Sequence, residues 1–314
     1  MKSKMNILFI GLGNMGMPMA INILKAGMKI TAYDNDSEKL AYFKKNGGEI
    51  AQNIKETCAT SDIIITILPN DEIVSKVMLS DDGVIKNSKK NTLIIEMSTI
   101  SPILSTSLAK KSADLNIDFI DAPVGRTPQD AWNKTLLVMV GGSEHLFKKA
   151  QPIFESFADL TLHLGPQGSG IRMKVVNNFM SMSLMALTAE TLAFAQKSGI
   201  NLKVATHVLQ NTTAGKGQIN INYPKKILNN DISPDFPVIL GIKDLNLALN
   251  LAKDEDISLP IGQSCQDLFE EAIEIGLSNY DCTSLLIAMQ NRFKVESQFI
   301  RKESNNEWIS TKDS

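Results

Sequence analysis

Short runs of β-branched and other apolar residues recur through the first half of the chain. They predict six buried strands: NILFIG (6–11), KITAYD (29–34), DIIITIL (62–68), TLIIEM (92–97), IDFIDA (117–122) and TLLVMV (135–140). Amphipathic stretches such as "MGMPMAINILKAG" and "SPILSTSLAKKSADL" alternate with these runs and are typical of helices. Because strands that alternate with helices over short connections form parallel sheets covered on both faces, we predict an α/β domain with a mostly parallel sheet.

The pattern changes after the Gly- and Pro-rich segment "LHLGPQGSG", residues 162–170. Residues 171–199 indicate one long helix that is apolar nearly all round, and such a helix is expected to be buried. Further helices are predicted near residues 202–210, 240–253 and 261–275, no strand is indicated after Ile171, and the polar tail after Arg301 is expected to fray. We therefore predict an α/β domain over residues 1–166 and an all-α domain over residues 167–314.

Composition and charge exclude several classes of protein. The chain has 314 residues and a formal net charge of −2, which argues against a general nucleic-acid binder. No stretch of about 18 apolar residues predicts a membrane span. The three cysteines form no CxxC pair, and the three histidines lack metal-ligand spacing. We expect a cytoplasmic protein with reduced thiols, no metal, and neither a nucleic-acid nor a membrane partner.

The segment "FIGLGNMGMPMA" has glycines in GxGxxG spacing directly after the first predicted strand. In this pattern the first glycine permits a tight turn, the second lets the backbone approach a pyrophosphate, and the third lets the helix pack close to the sheet. Amides at the start of the helix then face the phosphates. The residues predicted to bind are Gly11, Gly13, Asn14, Met15 and Gly16. The strand–turn–helix context favours a Rossmann dinucleotide-binding domain over a glycine-rich turn without a ligand.

Asp34 ends the second predicted strand. A carboxylate at this place accepts hydrogen bonds from a ribose diol and repels a 2′-phosphate. The next three residues, Asn35, Asp36 and Ser37, provide no arginine for that phosphate. We therefore expect the cofactor to be NAD in preference to NADP, with Asp36 free to cap the following helix.

Four polar residues interrupt the long apolar helix: Lys174, Asn177, Asn178 and Ser181. Their spacing of i, i+3, i+4 and i+7 places them on one helix face. A lysine in a partly desolvated cleft has a lowered pKa, so Lys174 is our candidate for the general acid that protonates a carbonyl oxygen. Asn178 is a candidate to orient the lysine or the substrate. A hydrogen-bonded network between domains is the alternative role of this stripe.

The motifs "FIGLGNMGMPMA", "EMSTISP", "GIRMKVVNNFM" and "GIKDLNLAL" together resemble the β-hydroxyacid dehydrogenase family, which includes the 3-hydroxyisobutyrate and tartronate semialdehyde dehydrogenases. The resemblance implies a Rossmann domain followed by a helical domain, with the active site in the cleft between them. It also implies a catalytic lysine at Lys174, a second lysine near the nicotinamide at Lys243, and Leu68 and Thr99 at the cofactor site. Dimers or tetramers built through the helical domain are implied as well. A local ion pair with Asp244 is the alternative for Lys243.

One motif departs from the family pattern, because the chain reads "DAPVGRT" where most members read "DAPVSGG". An arginine there offers a charged fork that suits a permanently ionised group such as a sulfonate. "DAPVGRT", "GIRMKVVNNFMS" and "TTAGKG" are similar to the branch of the family that reduces 3-sulfolactaldehyde to 2,3-dihydroxypropane-1-sulfonate with NADH. That resemblance implies a site for the sulfonate and the hydroxyl made of Gly125, Arg126, Thr127, Asn177, Asn178 and Ser181.

Other interpretations remain open on the sequence. Arg126 also suits a carboxylate, as in succinic semialdehyde reduction or 3-hydroxyisobutyrate oxidation. Lys216 is either a further cationic contact or part of a flexible turn. A non-catalytic NAD-binding protein would need no lysine at position 174, and imine reductases usually replace that lysine. The sequence therefore favours an NADH-dependent reductase of a small anionic aldehyde.

Overall fold

The structure, a computed structural model, describes residues 5–302 and 307–312. It divides into two compact units, one ending at Ser181 and the other starting at Met182. This division falls inside a long helix, whereas the Gly- and Pro-rich segment at residues 162–170 lies where that helix begins. The boundary between residues 166 and 167 stays a prediction.

The strands of the first unit form two sheets. They are β1 (Asn6–Ile10), β2 (Lys29–Tyr33), β3 (Glu49–Ile50), β4 (Ile63–Thr66), β5 (Leu93–Glu96), β6 (Asp118–Asp121), β7 (Val124–Gly125), β8 (Leu136–Val140) and β9 (Ala158–His163). The first six pair in the order β3-β2-β1-β4-β5-β6, and every pair is parallel. This arrangement confirms the predicted parallel α/β sheet.

The second sheet is small and mixed, with β7 antiparallel to β8 and β8 parallel to β9. The predicted strand at residues 135–140 belongs to it rather than to the main sheet. The sequence did not indicate β7 or β9. β7 is two residues long, and most side chains of β9 are exposed, so neither carries a buried apolar run.

Helices cover both faces of the main sheet. They are α1 (Gly16–Lys25), α2 (Ser37–Lys45), α3 (Ile54–Thr60), α4 (Asp71–Leu79), α5 (Val84–Asn87), α6 (Pro102–Ala113), α7 (Pro128–Asn133), α8 (Glu144–Phe154) and α9 (Ser169–Lys197). Successive side chains of β1 alternate between two buried clusters, with Phe9 in one and Leu8 in the other. A strand that is apolar on both sides needs this double cover, which explains the unbroken apolar runs in the sequence.

The second unit is mainly helical, as predicted. Its elements are α10 (Leu202–Asn211), α11 (Thr213–Lys216), α12 (Asn222–Lys225), α13 (Val238–Asp254), α14 (Pro260–Glu274), α15 (Leu285–Phe293), β10 (Phe299–Lys302) and β11 (Glu307–Ser310). The antiparallel pair β10–β11 corrects the expectation of a strand-free domain with a frayed tail. Trp308 buries its ring in the core of this unit and donates from Nε1 to the Ile275 carbonyl, so the tail has an apolar anchor. Residues 303–306 and 313–314 of that tail lie outside the described residues.

The sequence predicts that the long helix α9 is buried, but the structure shows much of it exposed. Its apolar side chains from Met173 to Leu187 are exposed, and Phe179 keeps 75% of its accessible surface. A helix that is apolar all round needs partners on every side, and the described residues do not supply them for that stretch. Within residues 5–302 and 307–312, no helix has the length and apolar character needed to cross a membrane.

Candidate active site

The turn after β1 is crowded at two of its three glycines. Gly11 has a φ of +103°, and a Cβ at that position would lie 2.2 Å from the Ile67 carbonyl oxygen. A Cβ on Gly16 would lie 1.9 Å from the Gly11 carbonyl oxygen, whereas a Cβ on Gly13 would meet nothing within 4 Å. Gly11 and Gly16 therefore allow helix and strand to pack closely, and Gly13 leaves open space beside the backbone.

The start of α1 differs from the starts of its neighbours. Helices α2, α3, α4, α6 and α8 each follow a residue whose side chain accepts from a first-turn amide. At α1 this place is taken by Met15, whose side chain makes no cap hydrogen bond. The Met17 amide donates to the Gly13 carbonyl and Pro18 has no N–H, so the amide that lacks an acceptor in this turn among the described residues is that of Gly16. A phosphate is a natural acceptor for it because the helix dipole favours negative charge there.

A cavity of about 500 Å³ lies against this turn. Seven predicted cofactor residues line it: Gly11, Gly13, Asn14, Met15, Gly16, Asp34 and Leu68. The amide of Gly16, the open space at Gly13 and the carboxylate of Asp34 fit the diphosphate and ribose of a dinucleotide. Thr99 is exposed on the loop after β5, and Lys243 lies in the second unit, where it pairs with Asp244 at 2.9 Å. A cofactor role for these two residues stays a prediction.

Asp34 is held by two backbone amides. Leu12 donates to its Oδ2 at 2.6 Å, and Asp36 donates to its Oδ1 at 2.9 Å. Each carboxylate oxygen accepts two hydrogen bonds, so both retain an acceptor site for a ribose hydroxyl. Asp36 caps α2 by accepting from the Glu38 and Lys39 amides, as the sequence indicated.

Lys39 is a cavity residue that the sequence reasoning missed. Its Nζ lies 3.5 Å from Asp36 Oδ2 and 4.0 Å from Asp34 Oδ1. Lys39 lies beyond the three residues that directly follow Asp34, but the first turn of α2 brings it back to the same cavity. This cation is already paired with two carboxylates.

Glu96 is a second missed residue, and its side chain is fully buried at the end of β5. Thr66 Oγ1 donates to its Oε2 at 2.6 Å, and the Ser98 amide donates to its Oε1 at 2.7 Å. The Ser98 hydroxyl in turn accepts from the Leu68 amide at 2.8 Å. Glu96 therefore supports the loop that carries Leu68. Burial raises the pKa of Glu96 to about 7 and outweighs the hydrogen bonds that lower it.

β7 and the turn after it contain the three substrate residues predicted from "DAPVGRT". Arg126 has a φ of +78°, and its Nη1 donates to the Thr135 carbonyl and, at 2.6 Å, to Asp159 Oδ1. Thr127 caps α7, because its hydroxyl accepts from the Asp130 amide, and its own amide donates to Asp130 Oδ2 in return. Gly125 pairs with Leu137 in the small sheet. The structure thus gives Arg126 and Thr127 local partners, and their contact with a substrate stays a prediction.

The polar stripe lies on α9, whose start is tied to the main sheet. The carboxylate of Asp121 accepts from the Gly168 amide at 2.6 Å and from the Ile171 amide at 2.7 Å. Lys174 lies three residues after Ile171, a little less than one helical turn farther along α9. It is half-buried, it has no ion-pair partner among the described residues, and burial lowers its pKa. No hydrogen bond or ion pair between described residues joins Arg126 to this stripe.

The other members of the stripe remain accessible. Asn177 donates from Nδ2 to Asn178 Oδ1 at 3.2 Å, and Ser181 is exposed. The amide of Asn178 and the hydroxyl of Ser181 therefore keep donors for a ligand. The predicted roles of these residues in substrate binding remain predictions.

Two sequence profiles match the chain. The NAD binding domain of 6-phosphogluconate dehydrogenase matches residues 6–165, and the NAD-binding domain of NADP-dependent 3-hydroxyisobutyrate dehydrogenase matches residues 168–289. The two matches follow one another along the chain and together cover the turn after β1, the "DAPVGRT" segment and α9.

Individual relatives match over most of their length. The chain is 34% identical to the 3-sulfolactaldehyde reductase of Escherichia coli (strain K12), covering 89% of this chain and 94% of that protein. It is 35% identical to the 2-(hydroxymethyl)glutarate dehydrogenase of Eubacterium barkeri, covering 91% and 95%. Among solved structures, 3-hydroxyisobutyrate dehydrogenase of Mycobacterium tuberculosis aligns with a TM-score of 0.63 at 27% identity, covering 91% of this chain and 99% of that chain.

The buried carboxyl of Glu96 predicts a pH dependence of stability. Because its pKa in the folded protein is raised from 4.5 to about 7, the native state binds more protons than the unfolded chain between these values. The free energy of unfolding should therefore fall as the pH rises through this window, by about 3 kcal/mol from this group. Urea unfolding of the wild type and of Glu96→Gln at several pH values in this window gives the free energy of unfolding against pH for each protein. The wild type should show the steeper fall. Parallel curves for the two proteins would contradict the assignment.

Proposed function

This chain belongs to the 3-hydroxyisobutyrate dehydrogenase family, and we propose that it reduces a short aldehyde bearing an anionic group, with NADH as cofactor. Our first choice of substrate is 3-sulfolactaldehyde, which would yield 2,3-dihydroxypropane-1-sulfonate. One observation carries the choice of an anionic aldehyde: an arginine, Arg126, occupies a left-handed turn position at which the resembled family motif has glycine. We prefer the sulfonate to a carboxylate because the Escherichia coli relative is named 3-sulfolactaldehyde reductase.

The chain's own residues have distinct roles in the proposed reaction. NADH, when bound, supplies the hydride that the aldehyde carbon receives. Lys174 gives a proton to the carbonyl oxygen, and its lowered pKa makes this transfer easier near neutral pH. Arg126 binds the anionic group and thereby fixes the orientation of the carbonyl, which is the positioning contribution to catalysis. Asn178 orients the substrate hydroxyl from one turn beyond Lys174.

NADH is proposed over NADPH because of the charge around the ribose site. Asp34 keeps acceptors for the two ribose hydroxyls and would repel a 2′-phosphate. Lys39 is the one cation among the residues that line the cavity, and two carboxylates already pair with it. Its positive charge is thus largely compensated.

A carboxylate-bearing substrate is the second candidate. The 2-(hydroxymethyl)glutarate dehydrogenase relative favours it, because its name specifies a carboxylate substrate. Succinic semialdehyde and 3-hydroxyisobutyrate are the compounds to test. A guanidinium binds a planar carboxylate in two-point contact as readily as two oxygens of a sulfonate, so the arginine alone does not separate the two classes.

The proposed partner is a second copy of this chain. The exposed apolar side chains of α9 form a continuous stretch from Met173 to Leu187, and leaving them in water costs free energy that association would recover. The family resemblance implies dimers or tetramers, which is consistent with this surface. We propose that α9 contributes to the interface of a homodimer or homotetramer.

Initial rates with two aldehydes and two cofactors test the substrate and the cofactor together. We expect the highest kcat/KM for 3-sulfolactaldehyde with NADH, because its sulfonate meets Arg126 and its hydroxyl, which succinic semialdehyde lacks, meets Asn178. The 2′-hydroxyl of the NADH ribose meets Asp34. Succinic semialdehyde should be turned over at least about tenfold less efficiently, and NADPH should give a similar loss for either aldehyde. A higher kcat/KM for succinic semialdehyde would favour the second candidate, and a preference for NADPH would overturn the role given to Asp34.

Replacement of Lys174 tests the proton transfer. Lys174→Ala should lower kcat by about 100-fold or more, since general acid catalysis contributes factors of this size. NADH binding, followed by fluorescence titration, should change little because Lys174 does not line the cofactor cavity. Lys197→Ala is the matched control, because Lys197 is an exposed lysine at the far end of the same helix. Unchanged kcat in the Lys174 variant would refute its role.

Sedimentation velocity tests the proposed assembly. The wild type should sediment as a dimer or tetramer at micromolar concentration. Met185→Asp should weaken association, because Met185 is a largely exposed apolar residue within the exposed stretch. Met185→Leu, which keeps the apolar surface, should behave as the wild type. A monomeric wild type would exclude this interface.

A further inference from the structure

The guanidinium of Arg126 is held by one nitrogen only. Nη1 donates to the Thr135 carbonyl and to Asp159 Oδ1. Thr135 immediately precedes β8, and Asp159 lies in β9, so both acceptors sit on adjacent strands of the small sheet. Among the described residues, neither Nε nor Nη2 has a hydrogen-bond partner. The Nε–Nη2 edge therefore remains for a ligand that offers two oxygens.

The backbone of Arg126 is strained in a way that needs support. A φ of +78° disfavours any residue with a Cβ, and an arginine is uncommon there. Such a conformation persists when the surroundings hold it in place, and it points to a role for the side chain that glycine could not serve. The anchor at Nη1 and the capping box of Thr127 with Asp130 are the contacts that hold this turn.

The ion pair itself is too exposed to contribute much stability. The side chains of Arg126 and Asp159 keep 37% and 49% of their accessible surface, and pairs this exposed have small net energies. Two carboxylates, Asp130 and Asp159, also lie near this one guanidinium. They weaken its attraction for an anion. The benefit of Asp159 to anion binding is therefore geometric rather than electrostatic.

We propose that Asp159 is a positioning residue for substrate specificity. By accepting from Nη1, it fixes the guanidinium so that the Nε–Nη2 edge is presented to the anionic group of the aldehyde. This inference rests on the proposed function, since it assumes that Arg126 binds that group. Nothing in the sequence around Asp159 signals the role, because the two residues are 33 positions apart.

The test compares KM values for 3-sulfolactaldehyde and for glyceraldehyde, a neutral aldehyde in which a hydroxyl replaces the sulfonate. Asp159→Ala should raise KM for 3-sulfolactaldehyde about 5-fold, the effect of ordering one long side chain on binding. KM and kcat for glyceraldehyde should stay unchanged. Asp159→Asn keeps an oxygen that accepts from Nη1 and should stay within about 2-fold of the wild type.

The same measurements in an Arg126→Ala background separate this inference from the proposed function. Arg126→Ala should raise KM for 3-sulfolactaldehyde selectively, and adding Asp159→Ala should then have no further effect. If Arg126→Ala affects both aldehydes equally, the anion site of the proposed function is wrong. If Arg126→Ala is selective but Asp159→Ala leaves KM unchanged or lowers it, only the positioning role of Asp159 is overturned. An Asp159→Asn variant as impaired as Asp159→Ala would overturn it as well.

Discussion

The buried carboxylate of Asp121 connects the main sheet to the helix that carries the candidate general acid. Asp121 ends β6, and its two oxygens accept the amides of Gly168 and Ile171 at the start of α9. Burial raises the pKa of this carboxyl, but the hydrogen bonds from the amides counteract the rise. The contact requires a close approach, because a Cβ on Gly170 would lie 2.3 Å from the Met139 carbonyl oxygen. The same strand end leads five residues later to Arg126.

The main sheet was predictable because each of its features is local in sequence. Apolar runs such as those of β1 and β4 are buried on both faces, and a strand of this kind needs no distant information to be recognised. The turn after β1 was predictable from its glycine spacing, which is local in sequence, although the carbonyl that excludes a Cβ at Gly11 belongs to the distant Ile67. The small sheet was harder, because β9 exposes most of its side chains and β7 is held chiefly by its pairing with β8.

The parts of the site that the sequence did not reveal depend on contacts between distant segments. Glu96 is an ordinary acidic residue in the sequence, and only its burial beside Thr66 and Ser98 gives it a shifted pKa. The sequence identifies Arg126 as a departure from a motif, but it does not indicate that Asp159 on β9 anchors the side chain. Here the local pattern identified an unusual side chain, whereas the three-dimensional pairing of strands determines which edge of that side chain is free.

The apolar character of α9 links the proposed assembly to the proposed chemistry. Burial is the cause that lowers the pKa of Lys174, yet Lys174 is only half-buried, and its neighbours Met173 and Val175 are exposed. A second copy that covered these side chains would remove more water from around the amine. Desolvation disfavours the ammonium form, so the pKa of Lys174 would fall further toward neutrality. The polar stripe must then stay accessible to the substrate while the second copy covers the apolar faces of the helix. A helix that is apolar all round except for one polar stripe meets both requirements.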